Sequence, residues 1–397
     1  MIIRNLAMHE AGGTTTYSAM VVWEDRGHPE QLLTFAITAA DTAGGESDGP
    51  GADAFLAAGF PLAAVHGEAR LKIEGQPCPM LVEGLRTVHA WWRSWGGMPD
   101  TAPRIETAGY RRQHRTATPK RAVACLSGGV DGLHMLMRNR ELYRPEDPAY
   151  IREALFVHGF DIGKRARDPE NERYRMALGR LEPIADEAGL RVIPCRTNLR
   201  HFPSLPDFWE HRQHGGALAA VAHAAIRGPA FLFIGSTYPL THPVPNGSHA
   251  AVDGLFSSQR LSIVHDGARF SRLDKVRELA HWPTALAMLR VCSANVADMP
   301  NCGVCEKCLR TRLELLAVGV EETAAFGPSL PPEQLWDCAA PKPIAGRAGV
   351  YQELLPALRA RGYGSLCRAI EANIAIVSTE AEPAFFRLGR EAVRVLA

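Results

Sequence analysis

The sequence has almost no excess charge of either sign and no long uninterrupted apolar run. Its Lys and Arg residues number 44 against 43 Asp and Glu, a net charge of +1, which gives no electrostatic reason to expect binding to nucleic acid or to an anionic membrane. The most apolar long stretch, residues 216–235, is interrupted by His223, Arg227 and the pair Gly228-Pro229. The first residues, MIIRNLAMHEAGG, lack the apolar core of a signal peptide. We therefore expect a cytoplasmic protein with no membrane partner and no nucleic-acid partner.

The cysteines are too few and too unevenly placed for a disulfide framework. Nine are present among 397 residues, a usage that is typical of metal binding or buried thiols rather than of disulfide scaffolds. Five are scattered, and we interpret them as small buried hydrophobic residues: Cys78, Cys125, Cys195, Cys338 and Cys367.

Changes of pattern along the chain predict three parts. Residues 1–115 predict a mixed α/β domain of unknown role. A Pro- and Thr-rich stretch over 98–120 is typical of a linker and spans the boundary to the next part. Residues 116–325 alternate short apolar strands with helical patterns, which favours a parallel sheet with helices on both faces. Residues 326–397 begin with a Pro-rich stretch and predict a helical C-terminal extension.

A glycine-rich turn follows the first apolar strand of the second part. The stretch ACLSGGVDGLHML contains Ser127, Gly128, Gly129, Val130 and Asp131 immediately before a helical pattern. Successive backbone N–H groups at such a turn, with a helix N-terminus behind them, are typical of a phosphate site. No Walker A loop is present. A tight strand-to-helix turn with Asp131 at the helix start is the alternative without a ligand.

Four cysteines lie close together at a spacing of C-x9-C-x2-C-x2-C, just before a helical pattern. Four thiolates complete the tetrahedral coordination of a zinc ion and leave no coordination position for water, so we expect a structural zinc site. An iron–sulfur cluster and four free thiols remain alternatives. The predicted ligands are Cys292, Cys302, Cys305 and Cys308.

The glycine turn resembles the PP-loop, S-G-G-x-D-S, of the adenine nucleotide α-hydrolase-like ATPases. Combined with the cysteine spacing and the run CGVCEKCLRTRLELLAVG, it makes residues 121–320 similar to the 7-cyano-7-deazaguanine synthase family. The segment RLDKVRELA, with Lys275, resembles a helix of that family. The resemblance implies a Rossmann-like PP-loop domain, with ATP and Mg²⁺ as cofactors beside Zn²⁺.

The resemblance also implies a ligase-type enzyme. ATP would adenylate a substrate carboxylate or carbonyl oxygen, releasing pyrophosphate, and a nitrogen nucleophile would then displace AMP. Ser127, Asp131 and Lys275 are the expected catalytic residues. ATP contacts are expected at Ser127–Asp131 and at three further residues, His158, Gly235 and Ser236.

The segment after the fourth strand departs from the family and offers candidate substrate contacts. These are His242, Ser248, His249 and Asp253, together with Arg272. The substrate is a small molecule, a nucleobase-like compound or a protein or peptide end, and the sequence leaves open whether the chain forms a homodimer.

Gly132 stands where the PP-loop family has a serine, which removes one hydroxyl from the loop. Two other functions therefore stay open: a sulfur-transferring PP-loop enzyme, and a degenerate module that binds a nucleotide or a partner.

Overall fold

The described residues form a ten-stranded sheet. The computed structural model describes residues 1–38, 51–111, 121–163, 171–242, 244–292, 300–327 and 348–380, with side chains to 375 at the end of the last range. The order of strands across the sheet is β10-β9-β6-β7-β8-β3-β2-β1-β4-β5. The strands are β1 (Ile2–Ala11), β2 (Thr14–Val22), β3 (Gln31–Thr38), β4 (Arg70–Ile73), β5 (Arg104–Thr107), β6 (Ala122–Cys125), β7 (Ile151–His158), β8 (Arg191–Thr197), β9 (Ala230–Gly235) and β10 (Leu261–Asp266).

The five strands from β6 to β10 are mutually parallel, in the order β10-β9-β6-β7-β8. Their apolar residues are buried, and helices connect most of them, as the alternating sequence pattern predicts. The predicted α/β class with a mostly parallel sheet flanked by helices is therefore confirmed. The helices between these strands are α3 (Val130–Leu142), α4 (Asn171–Gly179), α5 (Glu182–Ala188) and α6 (His214–Ala225).

The N-terminal residues continue the same sheet. β3 pairs antiparallel with β8 through Phe35, Ala36 and Ile37, and β1 lies between β2 and β4. The predicted linker over 98–120 is wrong for Arg104–Thr107, which form β5 parallel to β4, while residues 112–120 lie outside the described residues. A four-residue strand between Pro and Gly gives too short a pattern to be recognised from sequence.

Two apolar helices cover part of this sheet. α1 (Ala52–Val65) is buried on all sides along most of its length, and it packs against α6. A helix without a polar face is stable only inside a core. Small residues permit the close approach, because a Cβ at Gly216 would lie 3.2 Å from Cγ of Pro61. The helix α2 (Pro79–Ser94) instead buries one face, including Leu85 and Trp92.

Helices after residue 270 build a second, smaller core around Leu313, Leu354 and Ile370, to which Leu273 also belongs. Residues 300–327 contribute one helix to this core and residues 348–380 contribute two, while the helical extension predicted over 326–397 stays a prediction. The helices are α7 (Arg272–Leu279), α8 (Pro283–Met288), α9 (Glu306–Val318), α10 (Ala348–Ala360) and α11 (Gly364–Glu380).

By their contacts the residues divide into two compact units. The sheet unit comprises Met1–Ser127 and Met135–Arg269, and the helical unit comprises Gly128–His134 and Phe270–Ala397. All ten strands belong to the sheet unit. The domain boundaries predicted after residues 115 and 325 stay a prediction. Within the described ranges, no helix combines the length and the apolar character that crossing a membrane requires.

Candidate functional site

The four predicted cysteine ligands come together in the helical unit. Their sulfur atoms all lie within 4.8 Å of one another. Two pairs are separated by 3.9 Å, namely Cys292 Sγ from Cys305 Sγ and Cys302 Sγ from Cys308 Sγ. Sulfurs at the corners of a tetrahedron around zinc, each at about 2.3 Å from the ion, would be about 3.8 Å apart. The cluster is therefore compatible with zinc.

Backbone donors and one buried side chain shape this cluster. The N–H of Cys302 donates to Cys292 Sγ at 3.4 Å, and the N–H of Cys305 donates to Cys302 Sγ at 3.2 Å. Asn301, 1% exposed, accepts from the N–H of Cys292 at 3.1 Å and donates to the carbonyls of Leu289 and Ala325, both at 2.8 Å. Asn301 thus holds the first cysteine beside the other three.

The helix after the cluster begins earlier than its sequence pattern indicates. Its first residue is Glu306, with Cys305 as the N-cap residue, so the last of the four cysteines, Cys308, lies inside the first turn instead of before the helix. Contact with Cys305 and burial raise the pKa of the Cys308 thiol. A raised pKa disfavours the thiolate, which is the form that binds zinc. A divalent cation at the cluster would stabilise the thiolate and so offset this effect.

The predicted phosphate loop lies where β6 ends. Gly128 has a φ of +78°, a conformation that favours glycine, and its carbonyl accepts from the N–H of Arg290 at 2.8 Å. The N–H of Leu133 donates to the carbonyl of Gly129 at 3.1 Å, which makes Gly129 the first residue of the α3 hydrogen-bond pattern. The N–H groups of the next three residues, 130–132, consequently have no intrahelical acceptor.

Two cations lie beside Asp131 in the helical unit. Lys275 Nζ is 3.2 Å from Asp131 Oδ1, and Arg272 NH1 is 3.7 Å from Asp131 Oδ2. The side chain of Lys275 is 1% exposed, whereas that of Asp131 is 22% exposed. Two predicted catalytic residues, Asp131 and Lys275, are therefore brought together at the N-terminus of α3, with the predicted substrate residue Arg272 beside them. Ser127 is exposed.

A second carboxylate balances Arg272. The guanidinium Nε lies 3.1 Å from Glu314, whose side chain is 0% exposed, and a guanidinium nitrogen donates to Thr311 Oγ1 at 3.2 Å. Burial would lower the pKa of Arg272, but the charges of Glu314 and Asp131 outweigh burial and raise it. Burial raises the pKa of Glu314, and Arg272 offsets only part of that effect.

Two of the five predicted substrate residues line one pocket of the sheet unit. The pocket lies at the carboxyl ends of β9 and β10, and Ser248 and His249 line it with Ser236 and His265. Asp253 lies behind it, since Ser248 Oγ donates to Asp253 Oδ2 at 2.7 Å. His242 is not among the lining residues; its side chain is exposed, with Nδ1 3.3 Å from Thr241 Oγ1.

The other predicted ATP contacts also belong to the sheet unit. His158 ends β7; it is 5% exposed and its ring lies edge-on to Tyr174 at 5.2 Å. Gly235 ends β9 opposite Asp266 of β10. Ser236 donates its N–H to the carbonyl of Asp266 at 2.7 Å and its hydroxyl to that of Tyr238 at 2.8 Å. Their contact with a nucleotide stays a prediction.

Three residues of these sites carry no recognisable signal in the sequence: Asn301, Glu314 and His265. Asn301 and Glu314 act through neighbours that are distant along the chain. His265 is the next-to-last residue of β10, and a position near the carboxyl end of a parallel strand is only a general reason to consider it. No known protein family, no curated protein and no solved structure matches this chain.

Proposed function

We propose that the protein is an ATP-dependent ligase-type enzyme that adenylates a substrate oxygen and transfers a nitrogen nucleophile to the activated carbon. The observation that carries the proposal is the position of the loop Ser127–Asp131. The loop follows β6, and the parallel strands run outward from β6 in both directions, through β7 and β8 on one side and through β9 and β10 on the other. In open α/β sheets, ligands bind at the carboxyl ends of the strands where the strand order reverses.

The groups at the start of α3 suit a nucleotide's phosphates. The turn at Gly128 and Gly129 brings backbone N–H groups to a helix N-terminus, which favours an anion. Lys275 and Arg272 add two positive charges beside Asp131. Mg²⁺, when bound, would neutralise phosphate charge, and the carboxylate of Asp131 is the type of ligand it prefers. Lys275 would then stabilise the charge that develops on the leaving pyrophosphate.

Burial of Lys275 supports a role beyond packing. An ammonium group withdrawn from water destabilises the fold unless opposite charge and hydrogen bonds compensate for it. Asp131, which Arg272 also approaches, offers that compensation in the described contacts. A lysine held in this way at a helix N-terminus is already desolvated, so its attraction to phosphate oxygens is stronger than at a solvated surface.

Nitrogen transfer is favoured over sulfur transfer by the state of the buried thiols. Burial, with a contribution from Asp253, raises the pKa of Cys125 to about 12, and burial also raises the pKa of Cys195. A thiol with a raised pKa is a poor nucleophile, because the thiolate is the reactive form. The four clustered cysteines are the ligands of the proposed structural zinc, and Cys338 lies outside the described residues.

Calorimetry with ATP and Mg²⁺ tests the proposal. We expect the wild type to bind ATP with a dissociation constant in the micromolar range or below, and Asp131→Ala to lose this binding. Glu141→Ala is the matched control, because Glu141 is an exposed carboxylate in the last turn of the same helix. Absence of binding by the wild type at millimolar ATP, or equal binding by Asp131→Ala, would overturn the assignment of the loop.

A further inference from the structure

The pocket at the carboxyl ends of β9 and β10 is small and polar at its base. Its volume is about 10 Å³, which is room for about one water molecule. Two serines and two histidines line it, with Leu240 among the apolar residues. Leu240 is 60% exposed, so this wall of the pocket borders solvent. A molecule of the size of water fits this space.

A buried carboxylate orients one of the two histidines. His265 Nδ1 is 2.7 Å from Asp253 Oδ2, and the side chain of Asp253 is 0% exposed. The same carboxylate accepts from Ser248 Oγ at 2.7 Å and from the N–H of His249 at 3.2 Å. Three donors compensate the desolvated charge of Asp253. An ionised carboxylate only accepts, so this contact suits the tautomer of His265 that carries its proton on Nδ1.

The backbone makes room for this pair. A Cβ on Gly215 would lie 2.4 Å from Asp253 Oδ1 and 2.6 Å from the carbonyl oxygen of Gly247. Any other residue at position 215 would therefore displace the carboxylate. The N–H of Gly215 also donates to the carbonyl of Gly247 at 2.7 Å, which fixes the loop that carries Ser248.

The opposite nitrogen of His265 is left for a ligand. With the proton on Nδ1, Nε2 carries a lone pair, and no hydrogen bond joins Nε2 to any residue within the described ranges. His223 of the same unit differs, because its Nε2 is 2.9 Å from the carbonyl oxygen of Phe256. His223 is thus hydrogen-bonded within the core. His265 instead lines the pocket, where its Nε2 can accept a hydrogen bond from a ligand.

We propose that Asp253 and His265 form a proton-accepting dyad that activates a water-sized nucleophile in this pocket. The proposal rests on the proposed ATP-dependent activation, which supplies the electrophile. A nucleophile that enters the pocket in its protonated form gives that proton to His265 Nε2, which frees the electron pair that it needs for attack. Asp253 stabilises the imidazolium that results.

Nitrogen NMR of the whole protein, labelled in the histidine rings, tests the dyad at pH 8. We expect the His265 signals, assigned by their loss in His265→Gln, to show a protonated Nδ1 and an unprotonated Nε2. Ammonium chloride should shift the Nε2 signal in a saturable manner, whereas ethylammonium chloride at equal ionic strength should not. Asp253→Asn should abolish both the tautomer preference and the response to ammonium. His9→Gln, an exposed site on β1, is the control that should preserve both.

A proton on Nε2 in the wild type, a response to ethylammonium equal to that to ammonium, or no response to either would overturn the dyad. A purely structural His–Asp pair would show the tautomer preference but no selectivity for size. The result does not depend on nucleotide binding, so failure of the wild type to bind ATP would remove the electrophile and the proposed function without altering this readout. When the AMP-forming reaction is assayed with ammonium as nucleophile, His265→Gln should lower turnover by about 100-fold or more.

Discussion

The sheet unit and the helical unit are stabilised by different kinds of interaction. The sheet unit has an extensive apolar core in which residues such as Phe35, Phe55 and Trp92 are completely buried. The helical unit has a smaller apolar core around Leu354. It also buries Lys275 and Glu314, and it contains the four-cysteine cluster.

The difference indicates where a bound ion contributes to stability. A small core removes less apolar surface from water, and small folds often depend on metals for that reason. Buried ion pairs do not replace a core, because desolvation offsets most of their attraction. We therefore expect the helical unit, and not the sheet unit, to depend on zinc.

Loss of one cysteine ligand should have the largest effect. Cys308→Ser should remove the zinc and lower the thermal midpoint of the helical unit by about 10 °C or more, since structural zinc supplies a large part of the folding free energy of such sites. Zinc content by mass spectrometry and hydrogen exchange at the amides of α9 measure the two effects. The sheet unit should keep the protection of β6 and β9.

The matched control for this variant is Cys367→Ala, which alters a buried thiol of the same unit outside the cluster. It should retain one zinc ion per chain. A wild-type protein without zinc, or a Cys308→Ser variant with unchanged exchange at α9, would contradict a structural zinc site.

A cavity in the sheet unit should have a large effect that is independent of zinc. Phe35 is 0% exposed and its ring centroid lies 5.5 Å from that of Phe55. Phe35→Ala should lower the free energy of unfolding by about 4 kcal/mol, measured by urea denaturation, with unchanged zinc content. Leu32→Ala, at a 49% exposed site of the same strand, should change it by less than about 0.5 kcal/mol. Loss of zinc in Phe35→Ala would contradict the expectation that the stability of the sheet unit is independent of the zinc site.

Removal of the buried ammonium should affect ligand binding. Lys275→Met keeps the length of the side chain but deletes its charge, so the affinity for ATP measured by calorimetry should fall about 10- to 100-fold, as expected for a charge-assisted hydrogen bond. Lys72→Met, at an exposed site on β4, should bind ATP as the wild type does. Equal affinity of Lys275→Met and the wild type would show that Lys275 is purely structural.

The smallest effect concerns pH and the sheet unit. Burial lowers the pKa of His223 below its ordinary value of 6.5. As the pH falls below 6.5, this histidine is therefore protonated more readily in the unfolded chain than in the folded protein. Stability from this residue is fully present above pH 6.5 and is lost as pH falls, by at most about 1.4 kcal/mol per pH unit. His223→Gln should flatten this part of the stability curve, measured by urea denaturation at several pH values. His281→Gln, at an exposed site, should leave the slope of the wild type; an unchanged slope in His223→Gln would show that other groups cause it.

Local patterns were sufficient for the parallel strands and the cysteine cluster. Buried strands such as β6 and β9 are continuous apolar runs between turn residues. The spacing of the four cysteines alone predicted that they form one cluster. The continuity of the sheet was not predictable, because the pairing of β3 with β8 joins residues that are about 160 positions apart. No local pattern encodes such a pairing.

The residues of the candidate sites were predictable only where they belong to a recognisable sequence motif. The sequence indicated Asp131 and Lys275 separately, but their 3.2 Å contact depends on how α7 packs. Glu314 and His265 were missed, since a buried acid on a helix and a histidine at a strand end resemble ordinary core and surface positions. Their partners, Arg272 and Asp253, are recognised only when the chain is folded.

The proposed enzyme would cleave ATP between the α and β phosphates, and chromatography of the reaction products identifies the bond that is cleaved. ATP labelled at the α phosphate should be incubated with the wild type, Mg²⁺, ammonium and a panel of heterocyclic carboxylates. We expect AMP and pyrophosphate in equal amounts, with none formed by Asp131→Ala. Formation of ADP and phosphate would contradict this expectation, because the chemistry would then be transfer of the γ phosphate.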